Sequence, residues 1–205
     1  MRKRATLILA AFLVATSAFA FELISVGFQG GAHFGEPRTS PALSPSIRVG
    51  PMGGLFFESL FSEDVGVISE LLYSQKGGSY VTKSGVTNDF RYDYFNLNAF
   101  YKHGIIKIGK VEAMAFVGPS FGLAVGATKT TTINSKETAV NSKSQARGYD
   151  FSAVGGLWFD YDADENMTVT LNGRYNFGLL SAEKSTVQTW INTGIEVMLG
   201  LKFPI

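Results

Sequence analysis

Cysteine is absent from the 205 residues, which excludes disulfides, thiolate metal centres and thiol nucleophiles. No stretch approaches the ~18 consecutive apolar residues that a transmembrane helix requires. Histidine is scarce, with only His33 and His103. A basic excess is missing as well. Without Arg2, Lys3 and Arg4 near the N-terminus, the remaining 15 basic residues face 17 acidic ones, a formal charge of −2. That balance argues against nucleic acid as a partner. No residue set points to a cofactor or a metal.

What is present begins with a targeting segment. Arg2-Lys3-Arg4 forms a basic start, Leu7 to Val14 a short apolar run, and Ala18-Phe19-Ala20 a small-residue cleavage site. Residues 1–20 are thus expected to be a signal peptide and residues 21–205 a single domain. Beyond it, the 23 glycines and 17 phenylalanines suit bent strands and membrane interfaces.

Residues 191–203 show the governing pattern. Ile191, Thr193, Ile195, Val197, Leu199, Leu201 and Phe203 fall on one parity, and Asn192, Gly194, Glu196, Met198, Gly200 and Lys202 on the other. A strand sends alternate side chains to opposite faces, so this one has an apolar face and a charge-bearing face. Similar alternation predicts eight strands, near 22–35, 49–61, 65–77, 91–103, 110–125, 148–161, 167–179 and 190–203. Tight connections around 62–64, 104–109 and 162–166 alternate with long polar ones at 36–48, 78–90, 126–147 and 180–189. This predicts an all-β fold, an eight-stranded antiparallel up-and-down transmembrane β-barrel, with short periplasmic turns and long outer loops. With that orientation, Phe61, Tyr101, Phe159, Tyr161 and Phe203 lie near the periplasmic rim, and Tyr73, Phe151, Tyr175 and Phe177 near the outer rim, as two aromatic girdles. The loop 126–147 lacks apolar content and is expected to be mobile. Proline-rich 36–48 is expected to be stiff. A soluble lipocalin-like barrel is the structural rival, but its water-facing exterior needs more Lys and Glu than these strands supply.

The segment ELLYSQKGG at 70–78, with FVGPSFG at 116–122 and RYNFGL at 174–179, resembles the PorT-like outer-membrane β-barrel family. The resemblance covers nearly the whole mature chain. It implies an eight-stranded barrel in the cell outer membrane, placed there by the barrel-insertion machinery, and it implies no single function. Barrels of this type usually end on an aromatic residue, whereas here Pro204-Ile205 follows Phe203.

The inward parity places Glu58, Glu70, Arg174 and Glu196 near mid-strand, with Lys76, Lys102, Glu112, Asp150 and Lys202 nearer the rims. An eight-stranded barrel is just wide enough for side chains to fill it, and an unpaired ion inside costs several kcal/mol. One guanidinium can bridge two or three carboxylates. Arg174 is therefore expected to be the hub of a lumen charge network with Glu58, Glu70 and Glu196, plugging the barrel; a proton or ion path along the same carboxylates is the alternative. A glycosidase reading of the acids lacks a cleft. His33 with Ser40 or Ser44 is the one outward-end pair for a lipid-modifying enzyme, and a partnered rim histidine is the plainer reading. Asp162, Asp164 and Glu165 lack the glycine and terminal glutamate of a calcium loop. The function expected is a non-enzymatic structural or binding barrel acting through its outer loops, held by outer-membrane lipids as a monomer, with an extracellular or envelope protein as ligand. The alternatives are a small-solute porin or secretion-assembly component, and an outer-membrane lipid-modifying enzyme.

Overall fold

The computed structural model describes residues 22–40, 45–82, 84–184 and 189–205; the segment read as a signal peptide and Phe21 lie outside them, as does Ser44. The described residues form ten strands: β1 (Glu22–Gly35), β2 (Arg38–Ser40), β3 (Arg48–Ser62), β4 (Val65–Val81), β5 (Thr87–Ile108), β6 (Val111–Ile133), β7 (Lys136–Asn141), β8 (Tyr149–Asp164), β9 (Met167–Ser181) and β10 (Thr189–Pro204). Eight of them, in the order β1-β3-β4-β5-β6-β8-β9-β10, close into an antiparallel ring through an eleven-residue ladder between β1 and β10. These eight are the strands expected from the alternation. The additional two lie in long connections: β2 pairs with the start of β10, and β7 folds back on β6.

β7 overturns the expectation for 126–147. The ladder of β6 continues through Thr128, Thr130, Thr131 and Thr132, β-branched residues suited to strands. Asn134 and Ser135 then turn the chain with φ of 48° and 65°, the left-handed pair of a tight hairpin. Polar composition limits this segment's share of the core to small side chains such as Ala127 and Ala146 but does not prevent a ladder. β4 and β5 also pair out to Val81 and Thr87, so the loop expected over 78–90 shrinks to 82–86. Strands β4 to β7 thus rise as a four-stranded extension at the long-loop end. Ser135 carries a Cβ where glycine is preferred. Ser135→Gly is expected to stabilise the hairpin by on the order of 0.5 kcal/mol, slowing amide exchange in β7 about twofold; unchanged or faster exchange would contradict this.

The two faces of the ring have opposite characters. On β10, Leu199 is 60% exposed and its neighbour Met198 only 1%. Leu55, Phe57, Leu71, Leu157, Leu171, Ile195 and Val197 share the outer face, while Glu70, Arg174 and Glu196 are buried inside. This is the reverse of a soluble barrel. Phe61, Tyr101, Phe159 and Tyr161 are exposed toward the short-turn end, and Phe151, Tyr175 and Phe177 toward the loop end; Tyr73 and Phe203 are half-buried. Thr193 departs from its parity. The β9–β10 register shifts between Ile191 and Thr193, and Thr193 is buried, with its hydroxyl donating to the Glu36 carbonyl.

The lumen is not uniformly polar. Phe56, Ile68, Phe100, Met114, Phe116, Val154 and Trp158 pack together on the β3–β8 side. At the loop end a second cluster of Phe90, Tyr92, Tyr94, Ala127, Ala146, Ala182 and Trp190 caps the interior, with Phe90 and Trp190 ring centroids 4.9 Å apart. Arg174 and its partners lie between these apolar groups.

Candidate functional site

Register builds the central layer. Glu196 on β10 faces Arg174 on β9 and His33 on β1. Arg174 Nε donates to Glu196 Oε2 at 2.7 Å, and its Nη1 to both Glu70 oxygens at 2.9 Å. β4 and β9 stand on opposite walls of the eight-strand ring, so the Arg174–Glu70 bond bars the lumen across its width. The remaining capacity of Glu70 is taken by Gln29 Nε2 at 2.7 Å and Asn98 Nδ2 at 2.8 Å, and Asn172 Nδ2 donates to Gln29 Oε1 at 2.9 Å. His33 Nδ1 lies 3.1 Å from Glu196 Oε1. The guanidinium sits 5.6 Å from the Phe100 ring centroid. Buried charges satisfied this fully are held in one geometry.

Glu58 is not part of this hub, which corrects the four-residue network expected from sequence. Across β3–β4, Phe56 faces Glu70 and Glu58 faces Ile68, so Glu58 lies two residues nearer the short-turn end, about 7 Å along the strand. There it pairs with Lys102, with Lys202 at 2.9 Å and with the Ser25 hydroxyl at 3.1 Å. Lys202 also pairs with Asp160, whose Oδ1 accepts from Trp158 Nε1 at 2.7 Å. Glu58, Lys102, Asp160 and Lys202 come from β3, β5, β8 and β10, every second strand of the ring. Toward the loop end a third layer joins Lys76 to Asp150 at 3.1 Å. Lys107 and Glu112 meet outside these layers at 3.7 Å.

Sequence parity identified Arg174, Glu70 and Glu196, which the structure brings together. It missed His33, Gln29, Asn98 and Asp160, all polar residues on inward-facing positions, where the same parity could have found them. His33 is a lumen residue bonded to Glu196 rather than a rim base beside Ser40, whose strand pairs with Thr189. His103 is exposed near the other end of the barrel. Among the described residues, no three His, Asp or Glu side chains converge as metal ligands. Asp162 and Asp164 instead hold their own turn, accepting from Thr168 Oγ1 at 2.9 Å and from Asn166 N at 2.8 Å.

A void of about 10 Å³ remains beside Arg174, lined by Leu72, Ser74, Asn96, Asn98, Asn176 and Glu196 among others, the lower limit for one water molecule. At the loop end Glu183 accepts from the Tyr92 hydroxyl at 3.3 Å. Burial pushes its carboxyl above the ordinary range, while the Tyr92 bond and the charge of Lys129 draw it back.

No curated protein matches the chain significantly in sequence. Among solved structures, Neisserial surface protein A is similar over 91% of this chain and 100% of its own, with a TM-score of 0.54 at 10% identity. Ail of Yersinia pestis, solved with the heparin analogue sucrose octasulfate, covers 90% of this chain and 100% of its own at 13% identity, TM-score 0.42. The N-terminal β-barrel domain of Pseudomonas aeruginosa OprF covers 88% and 97% at 14% identity, TM-score 0.42. The family described as outer membrane protein beta-barrel domain matches residues 17–182. With its closed antiparallel ring, apolar exterior and charged interior, the chain belongs to that family and is an up-and-down β-barrel of the outer membrane.

Proposed function

We propose that this protein is a non-conducting, non-enzymatic barrel with a structural or binding role, anchored by its lipid-facing exterior and acting through its outer surface. The observation that carries this is the Arg174–Glu70 bond across the full width of the lumen, with ion-pair layers on either side of it. A solute path would have to break charge-assisted bonds at three successive levels, each in a low-dielectric interior. The transport and proton-path readings are correspondingly disfavoured. The enzyme reading loses its site, because His33 is buried inside the lumen at 1% exposure, out of reach of lipid. The four-stranded extension of β4 to β7 supplies the surface for a protein ligand, and the closed ring offers no free transmembrane edge to a second copy. The finer family assignment we propose is PorT-like, on the strength of residues 70–78, 116–122 and 174–179; a secretion-assembly role is the alternative it leaves open.

Planar-bilayer recordings test the reading. Reconstituted wild-type protein is expected to give no stable conductance steps. A persistent, large conductance in the wild type would overturn the plugged barrel.

A further inference from the structure

We propose that Arg38, Lys143 and Arg147 form a binding arc for the phosphate groups of anionic lipids in the outer leaflet. Each donates to a backbone carbonyl at the loop end of the barrel wall: Arg38 Nη2 to Gly178 at 2.6 Å, Arg147 Nε to Ser181 at 2.9 Å and Lys143 Nζ to Val125 at 3.0 Å. Those carbonyls lie on β9 and β6, with β8 between them, so the three cations cover one contiguous sector of the ring.

The arc is on the lipid side. The Arg38 guanidinium stacks 4.1 Å from the centroid of Phe177, an exposed outward-facing ring. Arg147 lies 5.5 Å from the Tyr149 centroid and donates to its hydroxyl at 3.3 Å; Tyr149 is likewise exposed. Exposed aromatics at this level mark the headgroup layer. Cations stacked on them stand at the depth of lipid phosphates, with N–H donors left over after their bonds to described residues.

Charge pairing elsewhere on the same rim sharpens the point. In the β3–β5 sector, Arg48 pairs with Asp89 at 3.4 Å and Arg91 with Asp93 at 3.5 Å. In the β6–β9 sector, none of the three cations pairs with a described carboxylate. Of the nearby acids, Asp150 turns inward to Lys76 and Glu183 faces Tyr92, while Glu36, exposed two residues before Arg38, makes no ion pair with it. Positive charge held in place, unneutralised and set on the aromatic girdle, fits an anionic headgroup better than water alone. Each basic residue near an anionic surface strengthens attraction about fivefold.

Native mass spectrometry of the full chain, purified in neutral detergent and equilibrated with phosphatidylglycerol or phosphatidylcholine of matched chain length, tests this. The wild type is expected to retain phosphatidylglycerol preferentially. The triple variant Arg38→Gln, Lys143→Gln, Arg147→Gln is expected to lose at least tenfold of that retention while still shifting its gel mobility on boiling. Raised salt should weaken wild-type retention, and inorganic phosphate at millimolar concentration should not displace the lipid. Equal retention of both lipids by the wild type overturns the proposal without needing any variant to fold. Displacement by inorganic phosphate overturns the lipid as its occupant. Neither result bears on conductance, so the plugged-lumen reading stands or falls separately.

Discussion

Replacing Arg174 with alanine is expected to destabilise the barrel by about 3–5 kcal/mol, the cost of stranding buried charges whose partner is gone. Two carboxylates lose their counter-charge together: Glu196, bonded through Nε, and Glu70, bonded through Nη1 from the opposite wall. Gln29 and Asn98 remain beside Glu70 and His33 beside Glu196, but the guanidinium's fixed charge is gone. Denaturant titration in lipid vesicles, read by the mobility difference between boiled and unboiled samples, measures the loss. Removing the guanidinium also enlarges the void beside it, so the variant that does fold is expected to leak current where the wild type does not. Adding Glu70→Gln and Glu196→Gln should recover part of the stability, because the stranded charges are then gone; a cycle through these variants isolates the coupling. Arg174→Lys should sit between, since one ammonium cannot keep the forked contact with both walls. A loss below about 1 kcal/mol for Arg174→Ala would mean the bar across the lumen contributes no more than a surface pair.

The residues of that bar were legible because parity is a local property. Glu70, Arg174 and Glu196 each sit mid-strand on the face opposite Leu71, Tyr175 and Ile195, and a period of two assigns them inward without any partner being known. Level along the barrel axis is a different quantity, set by register across each turn. Glu58 shows the limit. The turn Ser62-Glu63-Asp64 already sets Glu58 opposite Ile68, and the ladder keeps that register beyond its shift between Leu60 and Ser62. That register, which parity alone does not report, places Glu58 with Lys102 and Lys202 rather than with Arg174. The cap of Phe90, Tyr92, Tyr94 and Trp190 was illegible for another reason: it assembles from β5 and β10 segments that the period placed in or beside loops. The β6–β7 hairpin was missed because composition reports on core formation, whereas this hairpin borrows its stability from the ladder of β5.

Closure of the ring makes the other large effect a matter of a single missing side chain. Gly31 on β1 stands opposite Met198 of β10 at the closing seam. A Cβ there would meet the Val197 carbonyl oxygen and stand 2.8 Å from Met198 Cα. Both obstacles are backbone, so no rotamer change relieves them, and moving them means parting the β1–β10 ladder that closes the barrel. Overpacking of side chains costs about 1–3 kcal/mol; against backbone the cost should reach or exceed the top of that range. Gly31→Val is therefore expected to prevent closure in most molecules, seen as loss of the fast-migrating unboiled band. The adjacent residue supplies the control. A Cβ on Gly30 would point outward, its nearest neighbour the Met52 carbonyl oxygen at 3.9 Å. Valine suits a strand and a lipid-facing position, so Gly30→Val should fold as well as the wild type or better. The two variants differ by one place in the chain and by nothing in composition, so equal folding of both would show that the seam does not require Gly31's missing side chain.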